Sequence, residues 1–388
     1  MKHITIGEIN KFQCIGSQCP YTCCANWGRI SVDKKTDEYY QSVEGAFGEE
    51  LRENIVREDG RALLKTRDGR CAFLNEENLC RIYMELGPER MCQSCRMYPR
   101  FEKPAGDIIF HYMRISCPEV GRILLSRKAP MKIRMVEDEF KPDWFVLRNP
   151  DWNFFQCAER AFEANLLILQ SRLYSVAERE RAFLLFNRSL QNALDAGNMA
   201  EAEALIAHFS APENYASLVQ SKLSAHLPSK VRLFRELCAL FLIQNTGSSM
   251  FKMFARSVDY IKSEDADMDA LSDMFKTLDG DSFQREQESL LTYLLFNHYL
   301  SSDLLDKRAK RDLFGEAVFI LTMFQFYRIF SAVLSVTDEK VLSLQDRTLI
   351  LSLLSRGFEH NQEFRKKFHT ELEKHNFYDL GFLFQLLS

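Results

Sequence analysis

The stretch CIGSQCPYTCC, residues 14–24, places Cys14, Cys19, Cys23 and Cys24 in a C-x4-C-x3-CC order. Working outward, Cys71 and Cys80 follow, then Cys92 and Cys95 in CQSC, then Cys117 in SCPE. Nine of the 11 cysteines lie in the first 117 residues, so one region needs thiols and the rest does not. Disulfides suit secreted chains, whereas this count is odd and the opening MKHITIGEINKF has neither an apolar segment nor a cleavage site. A cytoplasmic location is the expectation. Buried free cysteine is common, but packing alone gives no reason for such short spacings. The pattern is that of a soft-metal site held by thiolates. Cys92-x2-Cys95 is a zinc-type knuckle, and Cys19 with Cys23 could form another. An iron–sulfur cluster also takes up to four thiolates, often from dispersed positions. Spacing leaves zinc and iron open, and nine thiols exceed either need. Cys157 and Cys238 fall in helical patterns and read as ordinary core residues.

The surrounding composition is that of a folded globular chain. It has 388 residues, 46% hydrophobic and 27% charged, with a formal net charge of −4. Lysine and arginine number 50 against 54 acids, which excludes a general nucleic-acid binder. Residues 1–125 read as a compact, loop-rich region with frequent Gly and Pro. Within it, residues 33–58 read as polar and helical, and DIIFHYMRI (107–115) as half of a β-hairpin. Residues 126–150 read as a connector without a clear period. Residues 151–388 read as all-helical, with apolar residues at three- and four-residue spacing. Ser175-Val-Ala-Glu178 is a capping box. Further helices are expected at 199–209, 230–245, 248–262, 266–277, 282–300, 312–335, 343–357 and 361–374. The fold class is therefore mainly α: a cysteine-cluster region with little β, then a multi-helix domain. The most apolar run, 317–335, contains Gln325 and Arg328 and reads as a buried helix, not a membrane span.

Several chemistries are missing. No G-x-G-x-x-G follows a strand, and there is no Walker A loop, H-E-x-x-H or G-x-S-x-G. Cys19-x3-Cys23 begins like the C-x3-C-x2-C loop of radical S-adenosylmethionine enzymes, but the third position is Asn26 and the βα alternation of their barrel is absent. One stretch, AGNMAEAEALIAHF, resembles a tetratricopeptide helix, with no second copy at a fixed period.

The full cysteine order does carry a resemblance. Cys14-x4-Cys19-x3-Cys23-Cys24, then Cys71 and Cys80, then Cys92-Gln-Ser-Cys95-Arg-Met-Tyr-Pro99-Arg100, then Ser116-Cys117-Pro118-Glu119, resembles the flagellin lysine-N-methylase family. The first part, with Cys71-Ala-Phe-Leu and Leu79-Cys80-Arg-Ile-Tyr83, is also similar to a wider group of zinc- or iron-chelating cysteine-cluster proteins. The likeness spans the chain, although Met97 and Arg114-Ile115 are atypical. It implies methyl transfer from S-adenosylmethionine to lysine ε-amines of flagellin. It also implies an iron–sulfur cluster, of the four-iron type, bound by the amino-terminal cysteines, with zinc as the alternative metal.

That chemistry sets requirements. The amine, with a reference pKa near 10.4, must lose its proton before attacking the methyl group. A sulfonium favours aromatic walls, and LLTYLLFNHYL (290–300) and FQFYRIF (324–330) are candidates, although aromatic stripes at helical spacing are usually core. His298 reads as a core histidine. Arg96, Arg100 and Arg114, near the cysteines, could hold a carboxylate of the methyl donor. No catalytic residue is assigned. On this reading residues 1–125 hold the metal and the helical half recognises flagellin. The rival reading is a metal-binding adaptor whose helical half docks another protein.

Overall fold

The computed structural model describes residues 2–7, 11–25, 30–137, 151–215, 227–242, 249–263, 266–300, 312–359 and 362–386. The amino-terminal part contains short strands: β1 (Lys2–Ile6), β2 (Ser31–Val32), β3 (Ile55–Glu58), β4 (Arg61–Leu64), β5 (Thr66–Arg67), β6 (Arg70–Cys71), β7 (Arg100–Ala105), β8 (Ile108–Met113) and β9 (Ile133–Glu137). Between them lie α1 (Lys34–Ser42), α2 (Gly45–Glu53), α3 (Arg81–Leu86), α4 (Gln93–Met97) and α5 (Pro118–Leu125). The helical part comprises α6 (Trp152–Gln170), α7 (Val176–Asp195), α8 (Met199–Phe209), α9 (Leu227–Leu242), α10 (Ser249–Lys262), α11 (Met268–Leu278), α12 (Asp281–His298), α13 (Leu313–Thr337), α14 (Leu344–Leu354), α15 (Gln362–Lys374) and α16 (Leu380–Leu386). The protein is mainly α, as the periodicity indicates, and the Ser175–Glu178 capping box is formed in full.

The hairpin expected from DIIFHYMRI is β7–β8, in a sheet of order β7-β8-β1-β9. Strand β8 alternates poorly because it is central and covered on both faces. Its Phe110 meets Phe162 of α6 and Phe296 of α12 edge-on, at 5.8 and 5.2 Å between ring centroids. The turn closes at Gly106, which has φ +59°, and a Cβ there would lie 2.5 Å from the ring of Phe155 in α6. Glycine is therefore needed both for the turn and for the approach of the helical part.

Two expectations change. The stretch 33–58 is two helices and a strand: a Cβ at Gly48 would lie 1.9 Å from the Val43 carbonyl, so α2 folds back tightly against the end of α1. The connector contributes β9, a mostly exposed edge strand that pairs antiparallel with β1 through its backbone and so leaves little hydrophobic pattern. Residues 138–150 of the connector lie outside the described residues.

Two hydrophobic cores result. The larger runs from Ile4 on β1 to Leu386 on α16 and includes Phe110, Cys117 and Val120 together with the helices. The smaller gathers Ile30, Val32, Tyr40, Leu51, Ile55, Leu64, Phe73 and Ile82 with Cys71 and Cys92. Helix α13 is the one helix among the described residues long and apolar enough to cross a membrane, and its apolar window is wholly buried in the fold. Arg328 within it is paired with Asp279, which satisfies a buried cation.

Candidate functional site

Where the two parts meet, a cavity of about 560 Å³ opens. Cys14, Cys19, Cys23, Cys24, Cys80, Cys95 and Cys117 all line it. Cys71 and Cys92 are buried just behind, in the smaller core. The sequence-predicted thiols are therefore brought together, all nine in one region.

The local folds that place them are short. Cys19 ends the 3₁₀ turn Gly16–Gln18, and Cys23 and Cys24 open the turn Cys23–Ala25. Cys80, Cys92 and Cys117 are the N-cap residues of α3, α4 and α5. Asp33 fixes the Cys92/Cys95 knuckle from outside. Its Oδ1 accepts from Thr36 N at 3.1 Å to cap α1, while Oδ2 accepts from Gln93 N at 2.8 Å at the start of α4. Ser94 adds a bond from its hydroxyl to the Ser31 carbonyl at 3.1 Å.

Titration of the metal-free thiols reports who faces whom. Burial pushes Cys71 up to about 12 and Cys117 up to about 11. Cys23 and Cys24 lie 3.9 Å apart at sulfur; sharing a proton with Cys23 brings Cys24 down to about 7, while Cys23 is held high. The hydrogen bond between Cys92 and Cys95 likewise lowers Cys92 and raises Cys95. Backbone N–H groups of Val120 and Glu119 at Cys117, and of Tyr83 and Ile82 at Cys80, favour the thiolate against that burial. A bound cation would displace these protons. Among the described residues no three Cys, His, Asp or Glu side chains converge on a single ion as they stand. The thiols surround a space, and an all-thiolate donor set around a cavity fits a soft metal or an iron–sulfur cluster.

The remaining wall is aromatic and basic. Phe12, Tyr21, Tyr83 and Tyr98 line the cavity with Arg96, Arg100, Glu119 and Arg356. Arg96 is half exposed and lies 3.8 Å from Glu89. Arg100 donates to the Phe12 carbonyl at 3.1 Å and sits 5.1 Å from its ring centroid. Arg114 is outside the lining, stacked 4.2 Å from the Phe101 ring centroid. Glu119 is occupied by Arg122, which binds both of its oxygens at 2.8 and 2.6 Å. The aromatic segments 290–300 and 324–330 are core: Tyr293, Tyr299, Phe324 and Phe330 are fully buried and none lines the cavity. His298 is likewise buried, bonded to Glu359 at 2.6 Å.

Arg356 is the residue that sequence reasoning missed. The helix expected over 343–357 ends at Leu354 and continues as a π-helical turn, Ser355–Glu359. Such turns recur at functional sites because they re-aim a side chain. Arg356 Nε and Nη2 donate to the Ser116 carbonyl at 3.2 and 3.1 Å, and Nη2 also reaches the Tyr21 carbonyl at 3.3 Å. Its guanidinium carbon lies 5.6 Å from the Tyr21 ring centroid, and its Nη1 is buried with no protein partner. It thus touches the residue beside Cys117 from 240 positions away in sequence. Nothing in SRGFE marks a π-turn, so no sequence signal was available.

A family model described as the FliB lysine N-methylase C-terminal domain matches residues 164–386. The chain belongs to the FliB lysine N-methylase family. The family's activity class is lysine N-methylation, and the matched region is the helical part that carries Arg356 into the cavity. The chain is 24% identical to a lysine-N-methylase of Salmonella choleraesuis, over 96% of both chains. It is 31% identical to the flagellar biosynthetic protein FliU of Salmonella muenchen over 34% of this chain and 84% of that protein. It is 28% identical to a lysine-N-methylase of Salmonella typhimurium over 34% of this chain and 35% of that protein. No solved structure matches. Cys157, buried in the larger core, is remote from this chemistry, and the side chain of Cys238 lies outside the described residues.

Proposed function

We propose that the protein transfers methyl groups from S-adenosylmethionine to lysine ε-amines of flagellin, in the cytoplasm, with a four-iron iron–sulfur cluster held by the cavity cysteines. The observation that carries this reading is the cavity itself. Its volume, about 560 Å³, falls within the ~300–1,000 Å³ of small-ligand sites. It offers a sulfonium the rings of Tyr21 and Tyr98, and it offers a carboxylate the guanidinium of Arg356. When bound, the cluster supplies a cationic, soft coordination centre beside those groups. The thiols of Cys14, Cys19, Cys23 and Cys117 on one wall and Cys24, Cys80 and Cys95 on the other are the residues that would hold it.

The protein's own residues then do three things. Arg356, anchored through Ser116 and Tyr21, orients the donor's carboxylate with its remaining nitrogen. The aromatic wall holds the sulfonium and excludes water, which favours the neutral form of the incoming amine. The amine nitrogen forms a bond to the methyl carbon as the carbon–sulfur bond breaks. The electron pair stays on sulfur as a thioether, and the displaced proton leaves to water. Alignment of donor and lysine, at about 3–3.5 Å, supplies most of the acceleration. The relatives named as lysine-N-methylases and as a flagellar biosynthetic protein support this choice of reaction and target.

The test is anaerobic purification, with iron, zinc and sulfide content measured, followed by methyl transfer from labelled S-adenosylmethionine to flagellin. A brown protein that labels flagellin is expected. A colourless zinc protein would overturn the cluster, and absence of labelling would overturn the reaction.

A further inference from the structure

The nine thiols do not form one set, and this inference rests on the reading that they bind metal. A single centre takes about four thiolates, so nine leave roughly a second complement. Their division follows the packing. Cys24, Cys71, Cys80, Cys92 and Cys95 all belong to, or pack against, the smaller core of Ile30, Tyr40, Phe73 and Ile82. Cys117 belongs to the larger core, with Tyr21 and Tyr98 packed against it. Cys14, Cys19 and Cys23 sit on that side. Cys23 faces Cys14 and Cys117, and Cys19 faces Cys14 and Arg356. Cys71 instead faces Cys24, Cys80 and Cys92, and Cys95 faces Cys92, Cys24 and Cys80. Cys23 and Cys24, consecutive in sequence, are where the two groups touch, 3.9 Å apart at sulfur.

The groups also differ in access. Cys14 is exposed and all four members of its group line the cavity beside Arg356. In the other group Cys71 and Cys92 are buried away from the cavity, and Tyr40 closes it from behind with its hydroxyl bonded to the Arg90 carbonyl at 2.7 Å. A closed thiolate site packed on an apolar core is the form of a structural centre, whereas one open to a ligand cavity is the form of a reactive one.

We infer that the protein holds two thiolate-ligated metal centres: a cavity-facing one on Cys14, Cys19, Cys23 and Cys117, and a closed structural one on four of Cys24, Cys71, Cys80, Cys92 and Cys95. The closed site's chemistry admits zinc or iron, and the measurement separates them.

The experiment is native mass spectrometry of the anaerobically purified full-length chain, with iron, zinc and acid-labile sulfide counted per chain. Two centres are expected in the unmodified protein. Cys14→Ser should lose the cavity-facing centre and keep the other, and Cys95→Ser should do the reverse. An aqueous chelator should strip the metal in two phases, the cavity-facing centre first. One centre per chain in the unmodified protein, lost equally in both variants, would overturn the inference while leaving metal binding intact. No metal at all would overturn both readings. The count on the unmodified protein decides the matter even if Cys95→Ser fails to fold.

Discussion

Replacing Arg356 tests the junction most directly. Arg356→Ala removes three long hydrogen bonds, at 3.1–3.3 Å, to the Ser116 and Tyr21 carbonyls. Each is worth about 1 kcal/mol at that length. The Ser116 carbonyl keeps a bond from the Ser352 hydroxyl at 2.6 Å, so it is not left unsatisfied. The net stability loss is then about 1–2 kcal/mol, a modest fall in Tm. The effect on the methyl donor is larger in proportion. A charged hydrogen bond to a carboxylate contributes about 1.5–3 kcal/mol, or about 10- to 150-fold in Kd. The assay is titration calorimetry with S-adenosylmethionine and with its decarboxylated analogue, on the parent protein and on Arg356→Ala and Arg356→Lys. The penalty should appear for the carboxylate-bearing ligand and vanish for the analogue, with Arg356→Lys in between. Metal content, measured in parallel, should be unchanged. An equal loss for both ligands would show that Arg356 only braces the cavity wall, and no loss for either would refute its contact with the donor.

Gly106→Ala should destabilise by about 2–4 kcal/mol, because the turn needs a positive φ and the new methyl would strike Phe155; chemical denaturation measures it. Cys157→Ser should keep the metal content of the parent, because Cys157 is fully buried in the larger core, and should cost about 1–3 kcal/mol for a buried hydroxyl. A fragment of residues 1–125 should aggregate or bind a hydrophobic dye, because it uncovers the Phe110 face of β8 and the face of α5 that packs on α14; a monomeric fragment with full metal content would show that the smaller core suffices.

The helices were legible because their signals are local. Apolar spacing, the Ser175–Glu178 box and the Asp312 cap all act within a few residues, and the observed bounds of α8, α10 and α13 differ from the periodic ones by only a residue or two at each end. The cysteine set was legible because soft-metal chemistry restricts residue type. What was not legible depends on long-range contact. Strand β9 forms because β1 offers it a backbone edge, and its own side chains, largely exposed, carry no pattern. The aromatic stripes of α12 and α13 look the same whether they line a pocket or a core, and only packing, as of Phe234 on Phe326 and Phe330, decides for core. The aromatic wall comes instead from Tyr21 and Tyr98, in loops whose placement is set by the cysteines around them.

The two parts of the chain are unequal contributors to the cavity, and the inequality explains its construction. Apart from Arg356, every residue that lines it comes from positions 12–119. That region is made of short helices, 3₁₀ turns and two- to six-residue strands, which bury little apolar surface of their own. It is held from two sides. Thiols clustered in the smaller core suit cross-linking by metal, which stabilises loop-rich folds that a small core cannot. On the other side β8 and α5 lend their apolar faces to the helical part, through Phe110 on Phe162 and Phe296 and through Gly121 against Thr348. The helix that seats α5 is the one that continues into the π-turn. The contact that fixes the Cys117 wall and the contact that delivers Arg356 are therefore the same contact. A change at the α5–α14 seam would move a thiol and a guanidinium together, which ties the geometry of the cavity to the folding of the helical part.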